Sequence, residues 1–125
     1  MADPQFLLDT NILVYLVAGK SDRLRARVER CAPGSLVTSS LCVAEALFGL
    51  ADPAAAAFGR ILVVIQPLPF DIAAALKFPE VPFRRGRIDR LIAAQALALG
   101  LPIVTNDERD FADVPGLVIQ NWLKP

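Results

Sequence analysis

Four acidic residues stand where apolar runs end or where helical segments begin: Asp9 in FLLDTN, Glu45 in CVAEALFGL, Asp89 in RIDRLIAAQALALG and Asp107 in IVTNDERDF. The chain has no histidine, which excludes Ser-His-Asp triads and histidine-pair ribonuclease mechanisms. Clustered carboxylates repel one another unless a proton or a cation neutralises them. Oxygen ligands alone favour Mg²⁺ or Mn²⁺ over zinc. These residues therefore predict a divalent cation that polarises a phosphoryl oxygen and activates water for in-line attack.

Each of these acids also has a purely structural explanation. Asp9 and Asp107 are placed to start turns or helices after strands, and Asp89 is placed to favour the N-terminal dipole of its helix. Glu45 lies in a segment with no other charge, so it is either buried at a cost or turned toward solvent. Only convergence of all four favours a site over four separate structural roles.

Short polar and basic residues stand next to these acids. Thr10, Asn11 and Thr105 either orient ligands and water or cap helices. Four arginines surround the third acid: Arg84, Arg85, Arg87 and Arg90. Guanidinium groups beside an acidic site suit a phosphate-bearing substrate.

Strands and helices alternate in the elements that must position these residues. The pattern predicts strands at 5–8, 35–38, 102–105 and 117–119, and helices at 12–18, 22–31, 41–50, 54–64, 70–77 and 88–99. Such alternation predicts an α/β domain with a mostly parallel central sheet and helices on both faces. Ligands bind such sheets outside the carboxyl ends of the strands. Since Asp9 and Asp107 follow strands, we expect the four acids to meet at that edge.

Composition limits the class of protein. The 125 residues fit a single domain spanning 1–125. The hydrophobic fraction of 54% and mean hydropathy of +0.47 exceed what a core of this size needs, so an interface is expected. No apolar run is long enough for a membrane helix and no secretory signal is recognisable; the expected compartment is the cytoplasm. Cys31 and Cys42 lack metal or redox spacing and are expected to be buried, reduced thiols.

The chain resembles the PIN-domain ribonucleases, and among them the VapC-type toxins of type II toxin-antitoxin modules. The resemblance lies in five segments that occur in the family's order: LLDTNILVYL, SSLCVAEALFGL, IDRLIAAQALALG, IVTNDERDF and VPGLVIQNW. It implies a three-layer α/β/α fold and a Mg²⁺- or Mn²⁺-dependent endoribonuclease, with no organic cofactor. It also implies a homodimer and a cognate VapB-like antitoxin whose C-terminal segment covers the active site.

The family's acids carry over as the catalytic residues and metal ligands Asp9, Glu45, Asp89 and Asp107. The last position varies in the family, and Asp110 is a reserve candidate for it. As a hypothesis, the antitoxin lays an apolar helix into a groove beside the alanine-rich stretch 54–57 and sends a basic side chain into the acidic site. The RNA that is cut, the number of metal ions and the antitoxin's identity stay open.

Two alternatives remain at this point. One is a PIN-like fold that serves only as a binding module. The other is a receiver-like phosphoacceptor domain. The closing Lys124 and Pro125 resemble the lysine-proline motif of receivers. Receivers carry an acidic pair after the first strand, whereas Asp9 is followed by Thr10 and Asn11.

Overall fold

A five-stranded sheet forms the centre of the computed structural model, which describes residues 1–50 and 52–125 but not the side chains of 52–54. The strands are β1 (Phe6–Leu8), β2 (Leu36–Ser39), β3 (Gln66–Leu68), β4 (Ile103–Val104) and β5 (Ile119–Gln120). Their spatial order is β3-β2-β1-β4-β5, and each neighbouring pair is parallel. This confirms the predicted α/β class with a parallel sheet.

Helices flank the sheet and connect its strands. In the described part they are α1 (Thr10–Ala18), α2 (Asp22–Glu29), α3 (Ser40–Phe48), α4 (Asp52–Val64), α5 (Ile72–Lys77) and α6 (Ile88–Leu99), with 3-10 turns at Phe78–Glu80 and Glu108–Asp110. Helix α1 packs against α3 and α4, and α5 packs against α6. None of the helices in the described ranges has the length and apolar character needed to cross a lipid bilayer.

The three middle strands carry the centre of the core. Leu7, Leu8, Val37, Ile103 and Val104 are fully buried. A parallel sheet covered on both faces requires apolar side chains at successive positions, which explains why these strands appear in the sequence as continuous apolar runs.

Strand β3 was not predicted from the sequence. Its residues, Gln66, Pro67 and Leu68, pair with β2, and Pro67 lies opposite Thr38. Proline has no N–H to donate and is confined to edge strands. Because β3 lies at the edge of the sheet, it tolerates a residue that argues against a strand in sequence.

Helix boundaries near the acids follow from capping. The Ser39 hydroxyl oxygen accepts a hydrogen bond from the Leu41 N–H at 3.0 Å, so Ser39, and not the neighbouring Ser40, caps α3. Gly19 and Gly100 end α1 and α6 in the left-handed conformation, with φ of 63° and 68°, as predicted. The cap fixes the start of α3 at the carboxyl end of β2, which sets the position of Glu45.

The two cysteines are free thiols. Cys42 is buried, and this burial raises the pKa of its thiol to about 12, so it stays protonated. Cys31 is only half-buried and donates to the Arg27 carbonyl oxygen at 3.3 Å. The prediction of buried thiols is therefore confirmed for Cys42 and only in part for Cys31.

Candidate active site

Asp9 is held at the carboxyl end of β1 by hydrogen bonds to both oxygens of its side chain. Oδ1 accepts from the Thr10 N–H at 2.8 Å, and Oδ2 accepts from the Thr105 hydroxyl at 2.9 Å. Thr105 follows β4, the neighbour of β1 in the sheet. Asp9 is thus both the cap of α1 and a carboxylate with a fixed orientation at the sheet edge.

Glu45 is exposed and bonded to the same loop. The Thr10 hydroxyl donates to Glu45 Oε1 at 2.6 Å, which joins α3 to the first residue of α1. Of the two expectations for this residue, exposure rather than burial is the observed one.

Asp107 is oriented by Asn11. The Asn11 side-chain amide donates to Asp107 Oδ2 at 2.7 Å, and its carbonyl oxygen accepts from the Asn106 N–H at 3.3 Å. The Thr105 hydroxyl oxygen also accepts from the Asp107 N–H at 3.0 Å. Thr10, Asn11 and Thr105 therefore hydrogen-bond to the acids of the first, second and fourth motifs.

Asp89 lies in the first turn of α6, as predicted. Its Oδ2 is 2.6 Å from Nη2 of Arg87, and the same Nη2 is 3.0 Å from Asp110 Oδ1. Asp89 Oδ1 is buried and has no hydrogen-bond partner in the described residues; Nε of Arg90, at 3.8 Å, is too distant to donate. One oxygen of this carboxylate is therefore left without a partner.

All four predicted acids and the reserve acid line one cleft of about 460 Å³. Its walls are formed by Asp9, Thr10, Asn11, Val14, Glu45, Gly86, Arg87, Ile88, Asp89, Asp107 and Asp110. The cleft thus presents five carboxylates and a single guanidinium. The convergence expected from the sheet topology is observed.

The excess of negative charge acts on Asp9. Burial raises the pKa of its carboxyl from 3.8 to about 6, and the negative charges of Glu45 and Asp107 act in the same direction. The hydrogen bonds from the Thr10 N–H and the Thr105 hydroxyl oppose this shift without cancelling it. A cation in the cleft would favour the ionised form of Asp9 and oppose this rise in pKa.

The carboxylates do not form a closed metal cage in their present positions. Within the described ranges, no three acidic or cysteine side chains are close enough together to hold a metal ion. Each of three acids instead has its own partner: Glu45 is bonded to Thr10, Asp107 to Asn11 and Asp89 to Arg87. A cation would have to draw them together by side-chain movement.

The prediction that four arginines suit a phosphate-bearing substrate is wrong for one of them. Arg90 is fully buried and donates to Asp113 and to the carbonyl oxygens of Pro82 and Asp110. Arg84 is 3.0 Å from Asp113, outside the residues that line the cleft. The sequence alone does not distinguish an arginine that forms buried structural hydrogen bonds from one that is exposed at the cleft.

A family model of the PIN domain matches residues 6–117. The chain belongs to the PIN-domain family. Curated relatives extend over almost its whole length: the tRNA(fMet)-specific endonuclease VapC of Shigella flexneri is 31% identical, with 94% of this chain and 98% of the relative covered. The enzyme of the same name from Salmonella typhimurium is 28% identical, with the same coverage.

Solved structures with the same fold include VapBC assemblies. This PIN domain superposes on a chain of the DNA-bound VapBC of Salmonella typhimurium with a TM-score of 0.84 at 27% identity, covering 95% of this chain and 98% of that one. For VapBC2 of Rickettsia felis bound to a promoter DNA fragment, the TM-score is 0.83 at 25% identity, with 94% and 98% covered.

The receiver-like alternative is wrong. Receivers are doubly wound with strand order 2-1-3-4-5, whereas the strand order of this PIN domain is 3-2-1-4-5. In the present order β1 and β4 are neighbours, which brings Asp9 and Thr105 within hydrogen-bond distance.

Sequence reasoning missed the role of Arg87 inside the cleft. It placed this arginine in a general basic cluster, whereas the side chain bridges Asp89 and Asp110. Its position two residues before the third acid was the available signal. The sequence also gave no indication that Val14, Gly86 and Ile88 line the cleft.

Proposed function

We propose that this PIN domain is the toxin of a type II toxin-antitoxin module and an endoribonuclease that cuts RNA with Mg²⁺ or Mn²⁺. The observation that carries the proposal is the cleft in which Asp9, Glu45, Asp89 and Asp107 meet at the carboxyl edge of the sheet. Full-length similarity to VapC endonucleases supports RNA as the substrate class.

The residues of the cleft fit a hard cation chemically. Five carboxylates face one guanidinium, a buried oxygen of Asp89 lacks a partner, and cleft burial and like charge oppose ionisation of Asp9. Asp9, Glu45, Asp89 and Asp107 would hold the ion. When bound, Mg²⁺ or Mn²⁺ polarises the phosphodiester and makes water at the site a better nucleophile.

The protein's own side chains orient the acids and provide positive charge for the RNA phosphates. Thr10, Asn11 and Thr105 hold three of the carboxylates at the cleft before substrate arrives, so a cation has only to move side chains that already line one cleft. Without a cation, a cleft with this charge repels a phosphodiester. Arg85 is exposed on the loop that precedes the cleft and is suited to contact RNA phosphate.

The first test is the metal requirement of the purified wild-type protein. We expect discrete fragments from total RNA with Mg²⁺ or Mn²⁺, no fragments with EDTA, and recovery when excess Mn²⁺ follows EDTA. A tRNA fraction is the first substrate to separate, since two relatives are tRNA(fMet)-specific endonucleases. Cleavage that persists unchanged in EDTA would contradict the proposed mechanism.

The alternative of a non-catalytic binding module is favoured by one observation: within the described ranges no three acids are gathered tightly enough to hold a metal ion. The same assay separates the two functions. A protein that retains RNA on a filter but leaves it intact with either metal is a binding module.

An apolar groove provides a binding surface for the proposed VapB-like antitoxin. It measures about 810 Å³ and lies between α2, the end of α4 and the chain start, with Val28, Ile61 and Val64 among its lining residues. Ala57 of the alanine-rich stretch lines it as well, whereas the side chain of Ala54 lies outside the described residues. An amphipathic helix would bury its apolar face in such a groove.

Substitution in the groove should release the antitoxin without affecting cleavage. Co-expressed with the small protein encoded beside it, the wild-type chain should copurify with that protein. Val64→Glu should not, because a charge in the groove is costly to desolvate. Val118→Glu is the control, since Val118 is 57% exposed against 59% for Val64 and lies outside the groove. Equal copurification of all three would contradict this site for the antitoxin.

Exposed apolar side chains outside the groove are the basis for proposing a homodimer. Phe48, Ile72, Leu76 and Phe83 are each more than 70% exposed. Ile72 and Leu76 are four residues apart on α5 and so share one face of the helix, and contiguous exposed apolar surface is typical of a protein interface.

A further inference from the structure

Arg87 makes two ion pairs that cross the cleft. Its Nη2 is 2.6 Å from Asp89 Oδ2 on α6 and 3.0 Å from Asp110 Oδ1 on the turn after β4. The two acids come from segments 21 residues apart in the chain, and both line the cleft. A single nitrogen of Arg87 therefore lies between two carboxylates that face the same space.

Arg87 is also the one basic residue among those that line the cleft. A guanidinium stays protonated under all ordinary conditions, so it supplies a permanent positive charge to the acids around it. Asp89 Oδ1 accepts no hydrogen bond from Arg87 or from any other described residue, and Nε of Arg90 lies 3.8 Å from it, so this oxygen still has a free acceptor position.

We propose that Arg87 is an internal counter-cation of the acid cleft, which a divalent cation must displace in order to bind Asp89. This inference rests on the proposed function, because it assumes that the cleft takes up Mg²⁺ or Mn²⁺. In the metal-free protein Arg87 holds Asp89 and Asp110 together; when the divalent ion enters, Arg87 releases Asp89 and stays at the mouth of the cleft.

The surroundings of Arg87 allow this exchange. Its side chain is 41% exposed, whereas that of Asp89 is 13% exposed. Residues 82–88 are all exposed, and Gly86, directly before Arg87, adopts φ of 72°, a conformation that favours glycine. The arginine can therefore move into solvent without unpacking the core, while the acid remains in place.

Competition of this kind predicts that removing the arginine strengthens metal binding. Mn²⁺ would be titrated into EDTA-stripped, full-length protein, with free Mn²⁺ followed by electron paramagnetic resonance. We expect Arg87→Gln to bind Mn²⁺ at least about five-fold more tightly than wild type, the scale set by two partly exposed ion pairs that need not be broken. Arg87→Lys, which keeps the positive charge, should return the affinity toward that of wild type.

Arg84→Gln is the matched control. Arg84 is on the same loop, its side chain is 46% exposed, and it too forms an ion pair of 3.0 Å, but with Asp113 outside the cleft. The change in net charge is identical, so a general electrostatic effect would act equally in both variants. We expect the Mn²⁺ affinity of Arg84→Gln to stay within about two-fold of wild type.

Thermal unfolding provides a second readout: loss of a merely structural arginine would lower the melting temperature by the same amount with and without Mn²⁺. In EDTA, Arg87→Gln should melt below wild type, because two ion pairs are lost. In saturating Mn²⁺ the gap should close, since the metal then performs the same neutralisation. A gap of equal size in both conditions would overturn the inference.

The outcomes separate this inference from the proposed function. Wild-type protein that binds Mn²⁺, together with Arg87→Gln that binds it equally or more weakly, overturns the role of Arg87 alone. If neither protein binds Mn²⁺ and wild type leaves RNA intact, the proposed function fails as well. Tighter binding by Arg87→Gln but not by Arg84→Gln supports both.

Discussion

Asp9→Asn is expected to reduce RNA cleavage at least about a hundred-fold, the upper end of what removing a supporting group at a metal site costs. Asp9 is the buried acid of the cleft, and both of its oxygens have fixed orientations. Asparagine has nearly the same shape but removes the negative charge that a divalent cation requires. The rate would be measured on the RNA that wild type cuts, with Mn²⁺ at several concentrations.

The same variant has a distinctive stability profile. The pKa of Asp9 is about 6 in the folded chain against 3.8 ordinarily, so its ionisation disfavours the folded state as the pH rises from about 4 to about 6. The shift corresponds to roughly 3 kcal/mol. In EDTA, the free energy of unfolding of Asp9→Asn minus that of wild type should therefore increase by about this amount between pH 4 and pH 7.

Asp71→Asn is the control for Asp9→Asn. Asp71 also caps a helix, accepting from the Ala74 N–H at 3.0 Å, but lies outside the cleft. It should cut RNA at the wild-type rate. If Asp9→Asn is folded and cuts RNA within about three-fold of wild type, an essential metal ligand at position 9 is excluded.

Arg90→Met is expected to lower the free energy of unfolding by about 3 to 5 kcal/mol, the usual effect of breaking a buried charge pair. The Arg90 side chain is 1% exposed and lies 3.1 Å from Asp113 Oδ1. It also donates to the carbonyl oxygens of Pro82 and Asp110. Methionine has similar bulk but removes the donor to the two carbonyl oxygens and leaves Asp113 with Arg84 as its remaining partner. Such a loss is a large part of the 5 to 15 kcal/mol that stabilises a typical domain.

Arg84→Met separates burial from ion pairing in this comparison. Arg84 pairs with the same Asp113, but its side chain is 46% exposed, so its loss should cost less than about 1 kcal/mol. Both variants would be unfolded with urea. Equal, small losses would mean that Arg90 does not anchor the segments at Pro82 and Asp110 to α6.

The sequence was sufficient to place the acids because their positions follow from topology. Asp9 comes directly after a strand and Asp107 a few residues after another, and parallel strands end at a common edge. Asp89 was placed by the periodicity of its helix, and Glu45 by the helix predicted to follow the second strand. These patterns are local in sequence, and the pairing of the strands in the sheet then brings the residues close together.

Other features depend on tertiary context that local signals do not carry. Strand β3 contains Pro67 and is defined only by its pairing with β2. An amphipathic helix buries one stripe of its surface, yet in α6 all residues from 92 to 96 are buried, because this helix packs against several elements at once. Likewise, burial of Arg90 and the bridge made by Arg87 depend on which acids the fold brings near them.

The central claim is that a divalent cation binds among the carboxylates of the cleft, and anomalous scattering from crystals soaked in MnCl₂ tests it most directly. The account predicts a manganese peak in the cleft, about 2.1 Å from carboxylate oxygens of Asp9 and Asp89, and no such peak in Asp9→Asn. Soaked wild-type crystals with an empty cleft, or with manganese only elsewhere on the surface, would contradict it.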